Sequence, residues 1–315
     1  MTQPRYLAIT GGVGGAKLAL GLSHLLGADE LAFVVNTGDD FEHLGLHVSP
    51  DLDTLMYTLA ALSNPETGWG RRDESWHFIE TLRALGGPGW FNLGDRDLAV
   101  HVLRTARLRA GVELAAVTDE LYRAVGIRHP AWPMSNARVA TRVMTEHGEL
   151  DFQHYFVRER CAPRISGIRF AGAASAAPHG AVLAALAALE LRGVIICPSN
   201  PFLSIDPILA LPELRAALAA CRAPIIAISP IVAGDAIKGP TAKIMHELGL
   251  PQHAGAVARH YGTLIDGFII DECDRDLCGE IAHADLRVIS AQSVMRTLDD
   301  RINLAHTALE LLQSF

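Results

Sequence analysis

Continuous runs of apolar residues recur along the chain, and segments with the apolar spacing of helices separate most of them. Uninterrupted apolar runs suit strands that are buried on both faces of a parallel sheet. Alternation of such strands with helices is typical of a doubly wound α/β sandwich. The pattern predicts strands at 6–10, 31–35, 193–197, 224–228, 267–270 and 286–289, and helices at 179–191, 211–221, 241–248 and 293–313.

Residues 54–127 break this alternation. They have mostly helical patterns, include Trp69, Trp76 and Trp90, and contain no comparable buried strand. We therefore predict a core formed by residues 1–53 and 128–315, with a helical insertion (cap) at 54–127 that closes over the site. Residues 136–158 turn to an alternation of apolar and polar positions, as at 150–157, which predicts a strand or a hairpin.

Composition and charge exclude several classes of protein. Half of the 315 residues are hydrophobic and a fifth are charged, which is the balance of a soluble globular enzyme. The net charge of −8 argues against a general nucleic-acid-binding surface. The five cysteines lack metal-site spacing, and neither a signal segment nor a membrane-spanning apolar run is present. We expect a cytoplasmic protein with reduced thiols and no membrane partner.

The segment GGVGGAK at 11–17 follows the first predicted strand and opens a helix. Glycines allow close backbone approach to a phosphate, and the first N–H groups of a helix attract anions. The segment matches neither the dinucleotide fingerprint, which has a third glycine where Lys17 stands, nor the P-loop, which has Gly-Lys-Ser/Thr. A tight turn without a ligand is the alternative, but four glycines beside a lysine favour a nucleotide ligand.

Polar residues follow each of the later strands as well. They occupy 36–40, 198–201, 229–234 and 271–272. Each group by itself is compatible with an ordinary turn. Because ligands of doubly wound folds bind at the carboxyl ends of the strands, their coincidence at one sheet edge predicts a binding site.

Four aspartates lie close together after the second strand: Asp39, Asp40, Asp51 and Asp53. Carboxylates opposite a phosphate cradle are typical ligands of Mg²⁺, which bridges phosphate oxygens. Capping of the helix that begins near residue 54 explains one of the later pair. An acidic residue at the end of a second strand also suits a ribose hydroxyl in an NAD(P)-dependent oxidoreductase, although Lys17 and the excess of carboxylates disfavour that enzyme class.

Two further segments contain candidate ligand-binding residues. In 94–104, Asp97, His101 and Arg104 have the spacing of one helical face, and Arg96 has the fork geometry that grips phosphates or carboxylates. A salt-bridged helix start is the favoured interpretation of this segment alone. Lys238 and Lys243 flank a second predicted helix start that also suits an anion.

Taken together, the segments GGVGGAK, VVNTGDDFEHLGLHVSPDLDT, GDRDLAVH, FQHYFV, PSNPFLSIDPIL, SPIVAGDAIKGPTAK and DGFIID resemble the 2-phospho-L-lactate transferase family of coenzyme F420 biosynthesis. The resemblance covers nearly the whole chain. It implies a Rossmann-like three-layer sandwich with a small helical insertion, and a homodimer. It also implies transfer of a phospho-acyl group (phospholactyl or phosphoenolpyruvyl type) from a GDP-linked donor to the ribityl hydroxyl of the deazaflavin Fo, with release of GMP.

The resemblance implies roles for individual residues. Asp39 and Asp53 would coordinate Mg²⁺, and Asp53 with Arg96 would contact Fo and support catalysis. The GDP part of the donor would be held by Gly12, Gly14, Lys17, Asn36, Ser199 and Asn200. We add the hypothesis that Asp53 orients or deprotonates the acceptor hydroxyl.

One segment departs from the family pattern, and one other function remains open. Family members commonly have an acidic residue after the Pro-Met-Ser/Thr step, where this chain has Asn136-Ala137. Regulatory proteins of related fold bind nucleotide sugars and catalyse no reaction. Such a regulator would share the glycine-rich segment but would not require Asp51, Asp53 and Arg96, so we favour the enzyme.

Overall fold

The computed structural model describes residues 3–66, 68–237 and 239–315. Its centre is a seven-stranded sheet with the strand order β14-β13-β10-β9-β1-β2-β5, in which all neighbouring strands are parallel. This arrangement confirms the predicted α/β fold class. The strands are β1 (Tyr6–Thr10), β2 (Leu31–Val35), β5 (Ala131–Pro133), β9 (Gly193–Ile196), β10 (Ile225–Ile228), β13 (Gly267–Asp271) and β14 (Arg287–Ala291).

Strand β1 occupies the point where the strand order reverses. Tyr6 pairs with Leu31 of β2 on one side and with Gly193 of β9 on the other. The chain proceeds outward in one direction through β2 and β5, then returns and proceeds in the other direction from β9. In such sheets the ligand crevice lies outside the carboxyl ends of the two strands at the reversal. Residues that follow β1 and β9 therefore border the expected crevice.

Helices and a small sheet cover the two faces of the central sheet and complete three layers. Leu7 and Ile9 of β1 belong to one buried cluster, whereas Tyr6 and Ala8 belong to the other, because successive side chains of a strand point to opposite faces. The flanking helices are α1 (Gly12–Leu25), α6 (Gly180–Leu186), α7 (Asp206–Leu209), α8 (Pro212–Ala219), α9 (Thr241–Glu247), α10 (Ala254–Tyr261), α11 (Cys278–Ile281) and α12 (Leu298–Gln313).

Helices α1 and α12 approach each other very closely at Gly21. A Cβ atom added to Gly21 would lie 2.1 Å from the carbonyl oxygen of Arg301. The absence of a side chain at Gly21 therefore sets the separation of the two helices. Helix α12 begins with a capping box, in which Thr297 and Asp300 each bond the other's backbone N–H.

Between β2 and β5 the chain forms a short hairpin and four helices. The hairpin strands are β3 (Phe41–His43) and β4 (Leu46–Val48), and the helices are α2 (Pro50–Leu59), α3 (His77–Ala84), α4 (Asp95–Arg109) and α5 (Leu114–Ala124). The predicted helical character of this region is thus observed. Side chains of α2 and α5 join the same buried cluster as β1 and α1, so these two helices pack directly on the central sheet.

A second, antiparallel sheet contains β6 (Ala140–Thr145), β7 (Gly148–Asp151) and β8 (Ile165–Ala171). The prediction of a strand or hairpin within 136–158 is confirmed by the β6–β7 hairpin, and it is wrong only after Asp151. The chain then turns into a π-helix at His154–Arg158. Phe152 and Tyr155 are both buried there, and this spacing of three suits helical backbone, whereas an extended strand would point them to opposite faces.

The predicted strands of the central sheet are all present, and the predicted helices are present with shorter bounds. The largest differences are at residues 187–191, which follow α6, and at 293–297, which precede α12; neither segment is helical. In the three described ranges, no helix is both long and apolar enough to cross a membrane.

Candidate active site

A cavity of about 630 Å³ opens at the carboxyl edge of the central sheet. Its lining includes residues that follow β1, β2, β9, β10 and β14, together with residues from α2, α4 and the segment 152–157. The predicted convergence of strand-end residues is therefore confirmed for the groups at 36–40, 198–201 and 229–234, whereas residues 271–272 do not line the cavity. Its volume is in the usual range for ligand pockets, and strand ends at a switch point are the usual place for them.

The glycine-rich segment forms one wall of the cavity, and the structure explains each of its glycines. Gly12 has a φ of +65°, which favours glycine. A Cβ atom on Gly11 would lie 2.6 Å from Asp51 Oδ2, one on Gly14 would lie 2.3 Å from the carbonyl oxygen of Pro198, and one on Gly15 would lie 2.2 Å from Thr10 Oγ1. The glycines thus pack the start of α1 tightly against neighbouring strand ends.

Asp51 is bonded directly to the glycine-rich segment. Its Oδ1 accepts a hydrogen bond of 2.7 Å from the Gly12 N–H, and its Oδ2 accepts one of 2.9 Å from Asn36 Nδ2. Asn36 is fully buried, accepts a hydrogen bond from Gly38 N–H and is not part of the cavity lining. The structure therefore places Asn36 behind Asp51 as a positioning residue, and gives the Gly12 N–H a partner within the protein.

The carboxylates of Asp39 and Asp51 line the cavity without a cationic partner among the described residues. Burial, then the nearby charges of Asp51 and Asp40, hold the pKa of Asp39 well above its ordinary value. Burial also raises the pKa of Asp51 to about 6, against the opposing effect of its hydrogen bonds from Asn36 and Gly12. Two buried carboxylates with uncompensated charge, beside a helix start, suit a hard divalent cation such as Mg²⁺.

Asp53 differs from Asp39 and Asp51 because a buried arginine compensates its charge. The Arg104 guanidinium donates to both oxygens of the Asp53 carboxylate, at 3.1 Å from Nη1 to Oδ2 and at a short distance from Nη2 to Oδ1. Arg104 is 2 % exposed. Asp53 lines the cavity as predicted, but as half of an ion pair.

Ser199 and Asn200 follow β9 and line the cavity directly beside the glycine-rich segment. Ser199 Oγ accepts a hydrogen bond from Gly11 N–H. Asn200 Oδ1 caps the short helix that starts at Pro201 by accepting from the N–H groups of Phe202 and Leu203. Its Nδ2 is buried and has no hydrogen-bond partner among the described residues, which leaves a donor for a ligand.

Residues 293–295 form another part of the wall, which the sequence pattern assigned to a helix. Lys17 lines the cavity and donates a 2.9 Å hydrogen bond from Nζ to the carbonyl oxygen of Met295. Buried Asp271, at the end of β13, accepts hydrogen bonds from both N–H and Oγ of Ser293. Two distant parts of the chain therefore hold this segment in place.

Three residues that the sequence analysis singled out lie away from the cavity. Arg96 is exposed on α4 and is not among the lining residues, so its predicted contact with Fo stays a prediction. Asn136 binds the start of α5, where it accepts from Ala115 N–H and donates to Glu113, so the departure from the family pattern lies outside the cavity. Lys243 pairs with Glu247 at 2.7 Å, and Lys238 lies outside the described residues.

Aromatic side chains line another part of the cavity. Trp69 and Phe91 come from the region between α2 and α4, and Phe152 and Phe156 come from the turn after β7. Trp69 is 54 % exposed and Phe156 is 39 % exposed, which is unusual for such large apolar groups. No sequence motif predicted this aromatic wall. The concentration of tryptophans in the insertion was the one feature of the sequence that could have indicated it.

The fold and the cavity define an α/β protein of the Rossmann type whose ligand crevice lies at the switch point of its sheet. The family model described as 2-phospho-L-lactate transferase CofD matches residues 7–299. The chain belongs to this family of transferases of coenzyme F420 biosynthesis.

Individual relatives support the same assignment. A phosphoenolpyruvate transferase of Streptomyces griseus is 40 % identical over 317 residues, which cover 98 % of each chain. A phosphoenolpyruvate transferase of a Mycobacterium species is 40 % identical over 291 residues, which cover 84 % of this chain and 87 % of the relative. A crystal structure from Bacillus halodurans, described as a UPF0052 family member, shares the fold with a TM-score of 0.60 at 14 % identity, and the match covers 98 % of this chain and 100 % of that one.

Proposed function

We propose that this protein transfers a phospho-acyl group of the phosphoenolpyruvyl type from a GDP-linked donor to the ribityl hydroxyl of the deazaflavin Fo and releases GMP. The observation that carries the proposal is the meeting of three surfaces in one cavity: a helix start, uncompensated carboxylates and an aromatic wall. These surfaces suit a diphosphate, a divalent cation and a flat ring, respectively. The names of the relatives support a phosphoenolpyruvyl group over a phospholactyl group.

The donor's diphosphate fits along the wall that the glycine-rich segment and the segment after β9 form together. Beyond Gly12, the N–H groups of the first turn of α1 have no partner within the helix, and this turn lines the cavity through Val13 and Gly14. Asn200 adds an unpaired donor, and Lys17 adds a positive charge at the same wall. Such donors stabilise the negative charge that develops on the departing GMP.

Asp39 and Asp51 are the residues that would hold Mg²⁺. Both are buried cavity carboxylates without a cationic partner in the described part of the chain. When bound, the ion supplies positive charge at the diphosphate and lowers the cost of keeping the carboxylates ionised. The resemblance implies Asp53 as the second ligand of Mg²⁺. Asp53 lines the same cavity, but Arg104 already compensates its charge.

The acceptor's ring fits the aromatic wall. Apolar surface is presented to the same cavity by Trp69, Phe91, Phe152 and Phe156. Aromatic side chains pack favourably against flat conjugated rings in offset or edge-on arrangements. A ring held there directs its polyol chain toward the carboxylates and the diphosphate.

GMP release is the test of this proposal. Purified protein is incubated with Mg²⁺, Fo and a GDP-linked phosphoenolpyruvyl donor, and nucleotides and deazaflavins are separated by chromatography. We expect GMP only when Fo is present, together with a deazaflavin product whose mass has increased by the transferred group. The Val102→Ala variant is a matched control, because Val102 is exposed on α4 and outside the cavity.

Two results would contradict the proposal. GMP release that does not depend on Fo would indicate a hydrolase. Tight binding of GDP or a nucleotide sugar without any GMP release, whichever donor is supplied, would favour the non-catalytic nucleotide-sugar-binding regulator.

A further inference from the structure

Two polar atoms on the α2 and α4 wall of the cavity lie side by side. His101 Nε2 lies 3.4 Å from Asp97 Oδ2, and both residues line the cavity. His101 is 1 % exposed, and its Nε2 has no hydrogen-bond partner among the described residues. Asp97 is partly exposed to the cavity, and among the described residues its Oδ2 contacts no donor other than His101. A buried polar atom in the state of His101 Nε2 normally binds a ligand or an ordered water.

Neighbouring side chains fix the orientation of both groups. The Tyr57 hydroxyl donates a 2.5 Å hydrogen bond to Asp97 Oδ1, which directs Oδ2 toward His101. Arg104 Nη1 lies 3.3 Å from His101 Nδ1. A guanidinium has donors only, so Nδ1 must accept this hydrogen bond, and the ring proton is therefore on Nε2. The wall thus presents an N–H donor next to a carboxylate acceptor.

We propose that Asp97 and His101 form a hydroxyl-binding pair that holds one hydroxyl of the acceptor's polyol chain. An alcohol is both a donor and an acceptor, so it satisfies the pair by donating to Asp97 Oδ2 and accepting from His101 Nε2. This inference rests on the proposed function, and it assigns two residues to the binding of the acceptor. The neighbouring carboxylate of Asp53 is already engaged by Arg104.

A metal ion is a less suitable occupant of this place. Asp53, Asp97 and His101 offer ligand atoms that lie within 4.8 Å of one another. However, metal ions bind an imidazole nitrogen through its lone pair, and the contact with Arg104 leaves the proton on Nε2. The guanidinium also places a positive charge beside Asp53 and His101. A hydroxyl requires neither a lone pair on Nε2 nor additional negative charge.

The test combines protein variants with acceptor analogues that each lack one hydroxyl. Dissociation constants of Fo and of the deoxy analogues are measured from the deazaflavin's fluorescence, without a donor, for wild type, Asp97→Asn, His101→Leu and His101→Gln. We expect one deoxy analogue to bind wild type about tenfold more weakly than Fo, which corresponds to about 1.4 kcal/mol. The difference in affinity between Fo and this analogue should disappear in His101→Leu and shrink in Asp97→Asn. It should be partly restored in His101→Gln, because the glutamine amide N–H is also a donor.

Several outcomes separate this inference from the proposed function. If wild type binds Fo and releases GMP but binds every deoxy analogue as tightly as Fo, only the hydroxyl-binding pair is overturned. The same conclusion follows if the tenfold difference persists in His101→Leu and Asp97→Asn. If wild type binds no Fo, the proposed function fails and this inference with it. Should one of the variants fail to fold, the remaining variants carry the same comparison, and Val102→Ala should behave as wild type throughout.

Discussion

Arg104 and Asp53 form a bidentate ion pair that joins α4 to α2 beneath the floor of the cavity. Both residues are almost completely buried, so the pair is held in surroundings that screen its charges poorly. Loss of one partner lowers the free energy of unfolding far more for a buried pair than for a surface pair, because the remaining charge stays buried without a counter-charge. It therefore fixes the position of α4, which contributes Asp97 and His101 to the cavity.

The first prediction concerns this pair. Arg104→Met should lower the free energy of unfolding by about 3–5 kcal/mol, because Asp53 would stay buried without its partner. Arg107→Met is the control on the same helix: Arg107 pairs with Glu120 at the surface, and its loss should cost less than about 1 kcal/mol. Urea denaturation followed by circular dichroism measures both values. Equal effects of the two substitutions would show that burial does not strengthen the Arg104–Asp53 interaction.

A second prediction concerns the close approach of α1 to the strand end after β9. Gly14→Ala would place a Cβ atom 2.3 Å from the Pro198 carbonyl oxygen, so the backbone must shift. We expect the protein to stay folded but to bind GDP at least about tenfold more weakly. Overpacking of this kind costs about 1–3 kcal/mol, and the backbone shift that relieves it distorts the cradle. Isothermal titration calorimetry measures the affinity. Gly180→Ala is the control, because a Cβ atom there has no heavy atom within 4 Å.

The glycine-rich segment also illustrates what can be inferred from sequence. Its strand, turn and helix were predictable, because local patterns define them. The sequence pattern also places Asp97, His101 and Arg104 on one helical face, and the structure confirms that they share one network. The partner of Arg104 was not predictable, because Asp53 is brought to it by the packing of two helices and not by spacing in the chain.

Longer-range packing also explains two segments that sequence reasoning assigned wrongly. The strand predicted at 150–157 ends at Asp151, and beyond it Tyr155 is buried next to α9, where Lys243 donates to its hydroxyl at 3.2 Å. Residues 293–297 continue the apolar pattern of α12, but Asp271 holds Ser293 outside the helix. In both places a tertiary contact outweighs the local pattern.

Asp271 leads to a third prediction, on the pH dependence of stability. Burial alone raises its pKa, but hydrogen bonds from Cys273 and Ser293 outweigh burial and bring the pKa below the ordinary value. A lowered carboxyl pKa contributes stability above the unfolded-state value of about 4, and this contribution is lost as the pH falls through the folded-state pKa. Asp271→Asn should therefore be less stable than wild type at pH 7 by about 1–3 kcal/mol, with a difference that narrows below about pH 4.

Urea midpoints measured from pH 7 down to pH 3 test this dependence. Asp285→Asn is the control, because Asp285 is exposed and makes no ion pair among the residues that the structure describes. A difference between wild type and Asp271→Asn that stays constant with pH would show that the lost hydrogen bonds, and not the charge, stabilise the segment at Ser293.

A fourth prediction separates stability from cation binding at Asp39. Replacement of this buried, uncompensated carboxylate by an amide should raise the Tm of the metal-free protein, because burial and nearby Asp51 disfavour its charge. The same Asp39→Asn variant should lose the increase in Tm that Mg²⁺ produces in wild type. Differential scanning calorimetry with EDTA and with Mg²⁺ measures both changes. Asp299→Asn, at the exposed start of α12, should retain the response to Mg²⁺, and a full response in Asp39→Asn would exclude Asp39 as a ligand.

The hydrogen bond between Lys17 and Met295 joins parts of the chain that are 278 residues apart. Strand β1 likewise pairs with β9, which follows nearly 190 residues later: Tyr6 lies opposite Gly193. During synthesis the glycine-rich segment therefore leaves the ribosome long before the residues that complete its surroundings. The cradle therefore stays open until the residues around Met295 have been added to the chain, and the cavity is complete only once this late segment has folded against α1.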